Sequence, residues 1–331
     1  MYRKINHIKE TNGLFLLDKK LYTFLNDRQV LGEFNLKGKL LWSTDSSPIN
    51  YRYHIDLQHI FFYKNYEGSD FTVLNRTTKN IIHESKIELD ISNNYFFKNT
   101  LYSFVNGKLI VYSIEFFSVI QVRDDFVEGV IMLPISNFII SKKKSYIYIY
   151  NHFSLLWQQN IQDFFPDKEE LCIYEIYPYK DTFIVVTRTG IVCLSQKEGS
   201  LIWKVNSGAR TMEIVGNLGY VCTGLSLYWV NLDNGEKYGY GRKYDRLPDF
   251  EYNGETYWPA GYRVVYHKGL LWYEVFISGY AFILAIDPET GEYKWIHRVE
   301  TYERVMDIKF YDDKMFLLDS GNTLFIYEEE I

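Results

Sequence analysis

An all-β, single-domain protein built by repetition is what the sequence predicts, and three observations carry that prediction. Aromatic residues make up 18% of the 331 residues, with 30 Tyr and 23 Phe against only 7 Pro, a balance that favours pleated strands over disorder or long helices. Pairs of short alternating segments joined by polar turns recur along the whole chain. A Gly-x-x-x-Trp spacing returns at the strand that closes several of these units.

The paired segments are "LFLLDKKLYTFL", "HIFFYKNYEGSDFTVL", "LYSFVNGKLIVYS", "NFIISKKKSYIYIY", "TFIVVTRTGIVCL", "GYVCTGLSLYWVNL", "LLWYEVFISGYAFILAI" and "MFLLDSGNTLFIYE". They begin at residues 14, 59, 101, 137, 182, 219, 270 and 315, an average spacing of about 43, which fits one four-stranded blade of a β-propeller. Radial repetition lets each blade bury both faces against its neighbours. Residues 1–331 are therefore expected to form one propeller of eight blades, or of seven if the first hairpin merges into the closing blade. The final hairpin ends at "FIYEEEI" with no closing strand after it, while "YRKINHIKE" precedes the first hairpin without a partner. Strands from Met1 to Glu10 and from Arg304 to Tyr327 are expected to share a blade, which hides an otherwise open strand edge.

The repeat is clearest in "AIDPETGEYKW", residues 285–295, where Gly291 stands four residues before Trp295. Gly38 precedes Trp42 and Gly199 precedes Trp203 by the same interval, and "FSLLW" ending at Trp157 keeps the strand with Phe153 in the glycine position. Weaker echoes are "TTKNIIHES" from Thr77, "EFFSVIQV" from Glu115 and "NLDNGEKYGY" from Asn231, whose Asp233 and Gly235 follow the order of Asp287 and Gly291. A turn glycine takes positive φ without a Cβ penalty. An indole buried between blades removes roughly 150–250 Å² from water, so Trp42, Trp157, Trp203 and Trp295 are expected to pack.

At Ala285, Asp287, Thr290, Gly291 and Trp295 the segment resembles the repeat of the pyrroloquinoline-quinone-like (PQQ-like) propellers. The resemblance is good at Gly199 with Trp203 and at Gly38 with Trp42, and faint between residues 54 and 130. It implies architecture, because this repeat occurs in enzymes, assembly factors and binding modules alike. Catalytic members of the group resemble one another in a disulfide between adjacent cysteines, calcium ligands and an aspartate base. Cys172, Cys193 and Cys222 include no adjacent pair, so the resemblance implies a non-catalytic member with no cofactor.

A net charge of −6 and a pI near 5.7 give no basic field for phosphate backbones, so nucleic acid is not an expected partner. The first residues lack the apolar stretch of an export signal and no run approaches a membrane span; a cytoplasmic protein with small buried thiols is expected. The seven histidines show no zinc-ligand spacing and no G-x-S-x-G elbow is present, so catalysis is not expected.

Two connections between units stand out. The first, residues 236–262, carries Tyr240, Arg242, Tyr244, Arg246, Phe250, Tyr252, Tyr257 and Trp258, the residue types that dominate interface hot spots; its Tyr257-Trp258-Pro259 is expected at an exposed tip. The second, residues 159–182, carries Phe164, Phe165, Tyr174, Tyr177 and Tyr179. Both lead from an outer strand into the next inner strand and are expected to emerge on one face. The expected function is protein binding by a monomer, in its sharpest form an immunity protein that neutralises a cognate toxin. The alternative is a small-molecule or glycan binder, or a lyase or hydrolase, working in the central channel. Titratable groups converging on the channel favour the alternative; a plugged apolar channel beneath an aromatic rim favours protein binding.

Overall fold

The computed structural model describes residues 1–44, 53–63, 71–86, 94–97, 99–105, 107–124, 130–135, 138–151, 153–168, 171–240 and 247–330. Strand β1 (Tyr2–Ile8) opens the chain. Blade 1 follows as β2 (Thr11–Leu17), β3 (Lys20–Leu25), β4 (Val30–Asn35) and β5 (Leu40–Ser43). Blade 2 is β6 (Tyr53–Ile55), β7 (His59–Tyr63), β8 (Phe71–Asn75) and β9 (Ile81–Ser85), and blade 3 is β10 (Asn94–Phe97), β11 (Thr100–Val105), β12 (Lys108–Ser113) and β13 (Ser118–Arg123). Blade 4 contains β14 (Val130–Ile135), β15 (Phe138–Lys143), β16 (Tyr146–Asn151) and β17 (Ser154–Asn160); blade 5 contains β18 (Ile173–Tyr179), β19 (Thr182–Thr187), β20 (Ile191–Ser195) and β21 (Leu201–Val205). Blade 6 is β22 (Thr211–Val215), β23 (Leu218–Cys222), β24 (Leu227–Asn231) and β25 (Lys237–Tyr238), after which a separate hairpin, β26 (Phe250–Tyr252) and β27 (Glu255–Tyr257), precedes blade 7. Blade 7 is β28 (Arg263–His267), β29 (Leu270–Ile277), β30 (Tyr280–Ile286) and β31 (Tyr293–Arg298). Blade 8 comprises β32 (Val305–Tyr311), β33 (Lys314–Asp319) and β34 (Leu324–Glu329), completed by β1. The architecture is an all-β propeller of eight four-stranded antiparallel blades, as the spacing of the hairpins predicts.

First strands of successive blades approach one another, as in β10 with β14 and β22 with β28, so they line the axis. Their side chains reach across to the next blade. Tyr177 donates to the Met212 carbonyl (2.8 Å), Thr211 to Tyr262 (2.7 Å), and Lys309 to the Leu14 carbonyl, and Lys142 of the second strand β15 donates to the Ile173 carbonyl (2.7 Å). The middle strands supply the core, where Leu21, Phe61, Leu101, Ile149, Val185, Val221, Leu284 and Leu317 are fully buried.

Closure joins the two ends of the chain in one sheet. β1 pairs antiparallel with β34 from Tyr2 opposite Glu329 to Ile8 opposite Leu324. Tyr2 is buried, with its ring 5.3 Å from Trp272, 5.9 Å from Phe310 and 6.4 Å from Trp295. Burial pushes the Tyr2 phenol up to about 12, with Glu329 and Asp313 adding to the shift. The outer strand of blade 8 thus comes from the start of the chain, and Tyr2 takes the place a covalent turn holds elsewhere.

The repeat residues form a relay around the ring. In each case an outer-strand side chain docks on the third turn of the next blade. A Cβ on Gly199 would lie 2.6 Å from the Trp157 ring, one on Gly235 2.7 Å from Trp203, and one on Gly291 2.6 Å from Tyr240. All three glycines have positive φ, so they satisfy both the turn and the close approach of the ring. The indole N–H of Trp157 donates to the Gln196 carbonyl (2.8 Å) and that of Trp203 to Leu232 (3.2 Å); the Tyr240 hydroxyl donates to Pro288 (3.4 Å). Gln196, Leu232 and Pro288 each stand three residues before the turn glycine, so Tyr240 occupies the indole site of blade 6.

Elsewhere the same site is filled by other chemistry. Lys79, with φ of 65°, holds the glycine position of blade 2; its ammonium lies 4.8 Å from the centre of the Trp42 ring and pairs with Glu33. Burial works against the Glu33 charge, yet Lys20 and Lys79 hold its carboxyl below the ordinary range. His83 takes the tryptophan position of blade 2 and stacks on Phe117 (4.5 Å, 10°), which sits at φ of 50° in the turn of blade 3. At the last junction the Asn6 amide donates to the Lys37 carbonyl beside Gly38 (2.8 Å). The turns are closed by their first residue: Asn75 Oδ1 accepts from Thr77 and Thr78, and Asp287 Oδ1 from Glu289 and Thr290. Thr290 Oγ1 in turn accepts from Glu292.

Trp203 is 9% exposed, whereas Trp42, Trp157 and Trp295 are half-buried because they sit at the outer rim where blades diverge. Cys193 and Cys222 are buried as expected, but Cys172 is exposed in the connection that leads into β18. The two residues before the relay position are exposed aliphatics in five consecutive blades: Leu40 and Leu41, Ile81 and Ile82, Val119 and Ile120, Leu155 and Leu156, Leu201 and Ile202. Outer strands of blades 6, 7 and 8 carry Lys237, Lys294, Arg3 and Lys4 instead.

Two measurements check this account. Tyr2→Ala is expected to cost about 3–5 kcal/mol as a buried large-to-small change, and deletion of residues 1–10 more, because β34 becomes an open edge; urea denaturation of the full ring reads both. Gly254 has φ of 82° and open space where a Cβ would stand, so Gly254→Ala is expected to cost only the left-handed backbone penalty of about 1–2 kcal/mol. Gly235→Ala adds the collision with Trp203 and is expected to cost about 1–3 kcal/mol more; equal losses for the two variants would show that the indole does not occupy the slot.

Candidate functional site

Where the inner strands of blades 5 to 8 begin, their first residues and the residues just before them form the mouth of the axial channel. Tyr174, Arg210, Thr211, Tyr262, Arg263, Arg304, Val305 and Met306 enclose a cavity of ≈ 220 Å³. Three guanidinium groups and two phenol rings thus converge from four blades.

Tyr262 is the centre of this arrangement. The Arg304 guanidinium carbon lies 3.8 Å from its ring centroid and that of Arg210 4.5 Å. Two planar groups so close to one centroid take opposite faces of the ring, each attracted by the negative charge of the π system. Arg304 is anchored from below by Glu274, a residue of β29 with 0% exposure, through a forked pair at 3.1 and 3.3 Å. Burial pushes the Glu274 carboxyl above its ordinary range, while Arg304 and the Tyr262 backbone N–H, which donates to it at 3.2 Å, pull the other way. Arg263 pairs with Asp307 (3.3 Å), and Asp307 also faces Lys309 (3.4 Å). Arg210 is exposed and, among the described residues, makes no side-chain hydrogen bond or ion pair. Among the described residues the mouth therefore offers one guanidinium fork without a carboxylate.

The two connections singled out in the sequence meet here. Tyr174 comes from the 159–182 connection and Tyr262 from the 236–262 connection, and both line the cavity. The rest of each connection is largely occupied by packing. Phe165 and Tyr179 are buried and Tyr177 bonds across to blade 6.

In the other connection Phe250 is 2% exposed, 5.2 Å from Phe282 and 5.6 Å from Tyr257. Tyr252 and Tyr257 flank Phe282 at 5.4 and 5.1 Å, and Tyr240 fills the relay site. Trp258 remains 39% exposed and Tyr238 38%. The tip of the hairpin is Asn253–Gly254, both at positive φ, so Tyr257 and Trp258 lie at its base rather than at a tip; a tight turn needs residues that tolerate the left-handed region, which Tyr and Trp do poorly. Arg242, Tyr244 and Arg246 lie outside the described residues.

Arg210, Arg263, Arg304 and Glu274 were not singled out by sequence reasoning. The signal was available in the repeat itself: aligned by blade, Arg210-Thr211, Tyr262-Arg263 and Arg304-Val305 fall at the same step before the inner strand. Among the described residues no group of three or more His, Cys, Asp or Glu is placed to hold a metal ion, and no helix is long and apolar enough to cross a membrane.

No protein-family model matches the chain, and no curated protein matches it in sequence. Solved structures do match. A computationally designed protein, Ika8, superposes with a TM-score of 0.67 at 13% identity, covering 97% of this chain and 96% of its own. BamB from Moraxella catarrhalis gives 0.66 at 8% identity, with 99% and 100% covered, and Sqt1 from Saccharomyces cerevisiae gives 0.66 at 8% identity, with 100% and 98% covered. At these identities the likeness is one of fold, and it extends over the whole ring.

Glu274→Ala is expected to cost about 3–5 kcal/mol, since it leaves Arg304 half-buried without its carboxylate and removes the acceptor for the Tyr262 N–H. Thermal and urea unfolding check this; a loss below about 1 kcal/mol would mean that the pair does not organise the mouth.

Proposed function

We propose that this chain is a non-enzymatic protein-binding propeller, a non-catalytic relative of the PQQ-like repeat proteins, which receives its partner on the face where the 236–262 connection meets the channel mouth. The observation that carries the reading is the continuity of that face. Trp258, exposed and followed by Pro259, stands four residues before Tyr262 of the mouth, so a short span of chain joins a rigid aromatic anchor to the arginine-lined cavity. Aromatic and arginine side chains supply contact area and forked hydrogen bonds at low entropic cost. Tyr257 directly precedes Trp258, Tyr252 lies on the facing strand of the same hairpin, and Arg242, Tyr244 and Arg246 belong to the same connection.

The sharpest form of the reading is an immunity protein, acting as a cytoplasmic monomer, that neutralises a toxin; its net charge of −6 suits a partner that is basic as a whole. The converging charges at the mouth are what favours the alternative, a glycan or small molecule bound in the channel. Two features weigh against it. A cavity of ≈ 220 Å³ is below the roughly 300–1,000 Å³ of ordinary ligand sites. Tyr262, the ring best placed to stack on a sugar, has guanidinium groups on both faces.

The test is affinity purification from the native cytoplasm, repeated with the product of the adjacent reading frame. Trp258→Ala is expected to keep wild-type unfolding behaviour and to weaken capture by at least about 2 kcal/mol, or about 30-fold. Unchanged capture by the variant, or binding of an oligosaccharide with no protein partner, overturns the reading.

A further inference from the structure

We propose that the channel mouth is a carboxylate-binding site that takes an acidic side chain of a partner segment, with Arg210 as the residue that grips it. The inference rests on the protein-binding reading and names the chemistry of its central contact.

The argument is one of pairing. Three guanidinium groups surround the cavity, and two are already committed: Arg304 to Glu274 and Arg263 to Asp307. Arg210 lies against Tyr262, 4.5 Å from the ring centroid, and among the described residues its guanidinium N–H donors make no hydrogen bond. Contact with the ring restricts a group whose donors would otherwise be dispersed over many rotamers, so less entropy is lost when a carboxylate arrives. Arg304 on the other side of the same ring cannot swing away, because Glu274 is fully buried and also fixes the Tyr262 backbone. The stack of Arg210, Tyr262 and Arg304 is thus a rigid assembly tied into the core of blade 7.

Pairing also selects the ligand. One uncommitted fork matches one carboxylate, which accepts two parallel N–H bonds, better than a phosphate dianion, which would call for a second free cation. Size agrees, since ≈ 220 Å³ admits a Glu or Asp side chain but not a nucleotide. The apolar part of the lining, Val305 and Met306, would lie against the methylenes of the incoming side chain. The sign of the local field is opposite to the −6 of the whole chain, so a partner must combine an acidic knob with a surface that tolerates an acidic protein. That combination is a specificity device, because an indiscriminately basic partner finds an arginine at the centre of the contact.

The experiment titrates the full-length protein by calorimetry with a ten-residue Glu-rich peptide, its Gln-rich counterpart and inorganic phosphate. The Glu peptide is expected to bind and weaken with added salt, and the Gln peptide not to bind. Arg210→Gln, at an exposed position without polar partners among the described residues, is expected to reduce affinity at least tenfold, with Arg210→Lys between it and the wild type. Arg28→Gln, in the turn between β3 and β4 of blade 1 and outside the cavity lining, is expected to leave affinity unchanged. Equal binding of the Glu and Gln peptides, no effect of Arg210→Gln, or phosphate binding more tightly than the Glu peptide overturns the proposal. The two readings fail separately. A partner lost on Trp258→Ala but held normally by Arg210→Gln retains protein binding and rejects the carboxylate site; a peptide lost on Arg210→Gln with no protein partner ever captured does the reverse.

Discussion

Everything in this ring depends on the contact between an outer-strand side chain and the third turn of the following blade. No strand ladder joins one sheet of a propeller to the next, so neighbouring blades are held by side-chain packing and by the few hydrogen bonds that reach across. The relay site supplies both. Its ring or amide fills the space over a residue with positive φ, and its N–H or O–H reaches a turn carbonyl that would otherwise lack a donor, as Trp157, Trp203, Tyr240 and Asn6 each do. Because the eighth turn cannot be covalent where the chain begins and ends, Tyr2 stands in for it and packs on Trp272 and Trp295. The ring closes by applying the same local solution to a broken chain.

The architecture is legible in the sequence because two independent periods agree, the hairpin spacing and the Gly-x-x-x-Trp interval. The full relay is not, since the site selects for shape and one donor rather than for a residue type. His83 on Phe117 satisfies it with neither glycine nor indole in the expected place, and Lys79 under Trp42 satisfies it without the glycine. Composition places Tyr240 among the contacts for a partner, whereas it is the indole substitute of blade 6; Gly239 occupies the regular position and the ring arrives one residue late. Composition cannot separate an aromatic that packs from one that is exposed: Phe250 and Trp258 lie eight residues apart in one connection and differ from 2% to 39% in exposure.

The channel mouth is less legible still, for a topological reason. Arg210, Tyr262 and Arg304 lie roughly forty to fifty residues apart, each one blade from the next, and nothing in any single unit signals that they meet. Only the return of the chain to the axis at a fixed step of every repeat puts them together. The pattern also explains why the mouth is polar inside an otherwise aromatic protein. Inner strands diverge least, so their side chains crowd at the axis, and charged groups there must pair across blades, as Glu274 with Arg304 and Asp307 with Arg263 do.

The aliphatic pairs on the outer strands of blades 1 to 5, set against the lysines and arginine of blades 6 to 8, give the side wall two unlike arcs. Hydrophobicity is therefore distributed as a vector lying in the plane of the ring, perpendicular to the channel axis. An apolar boundary laid against blades 1 to 5 would meet these aliphatic pairs along the edge of the disc. In that posture the channel runs parallel to the boundary, and the mouth with its arginines stays open to solvent from the side.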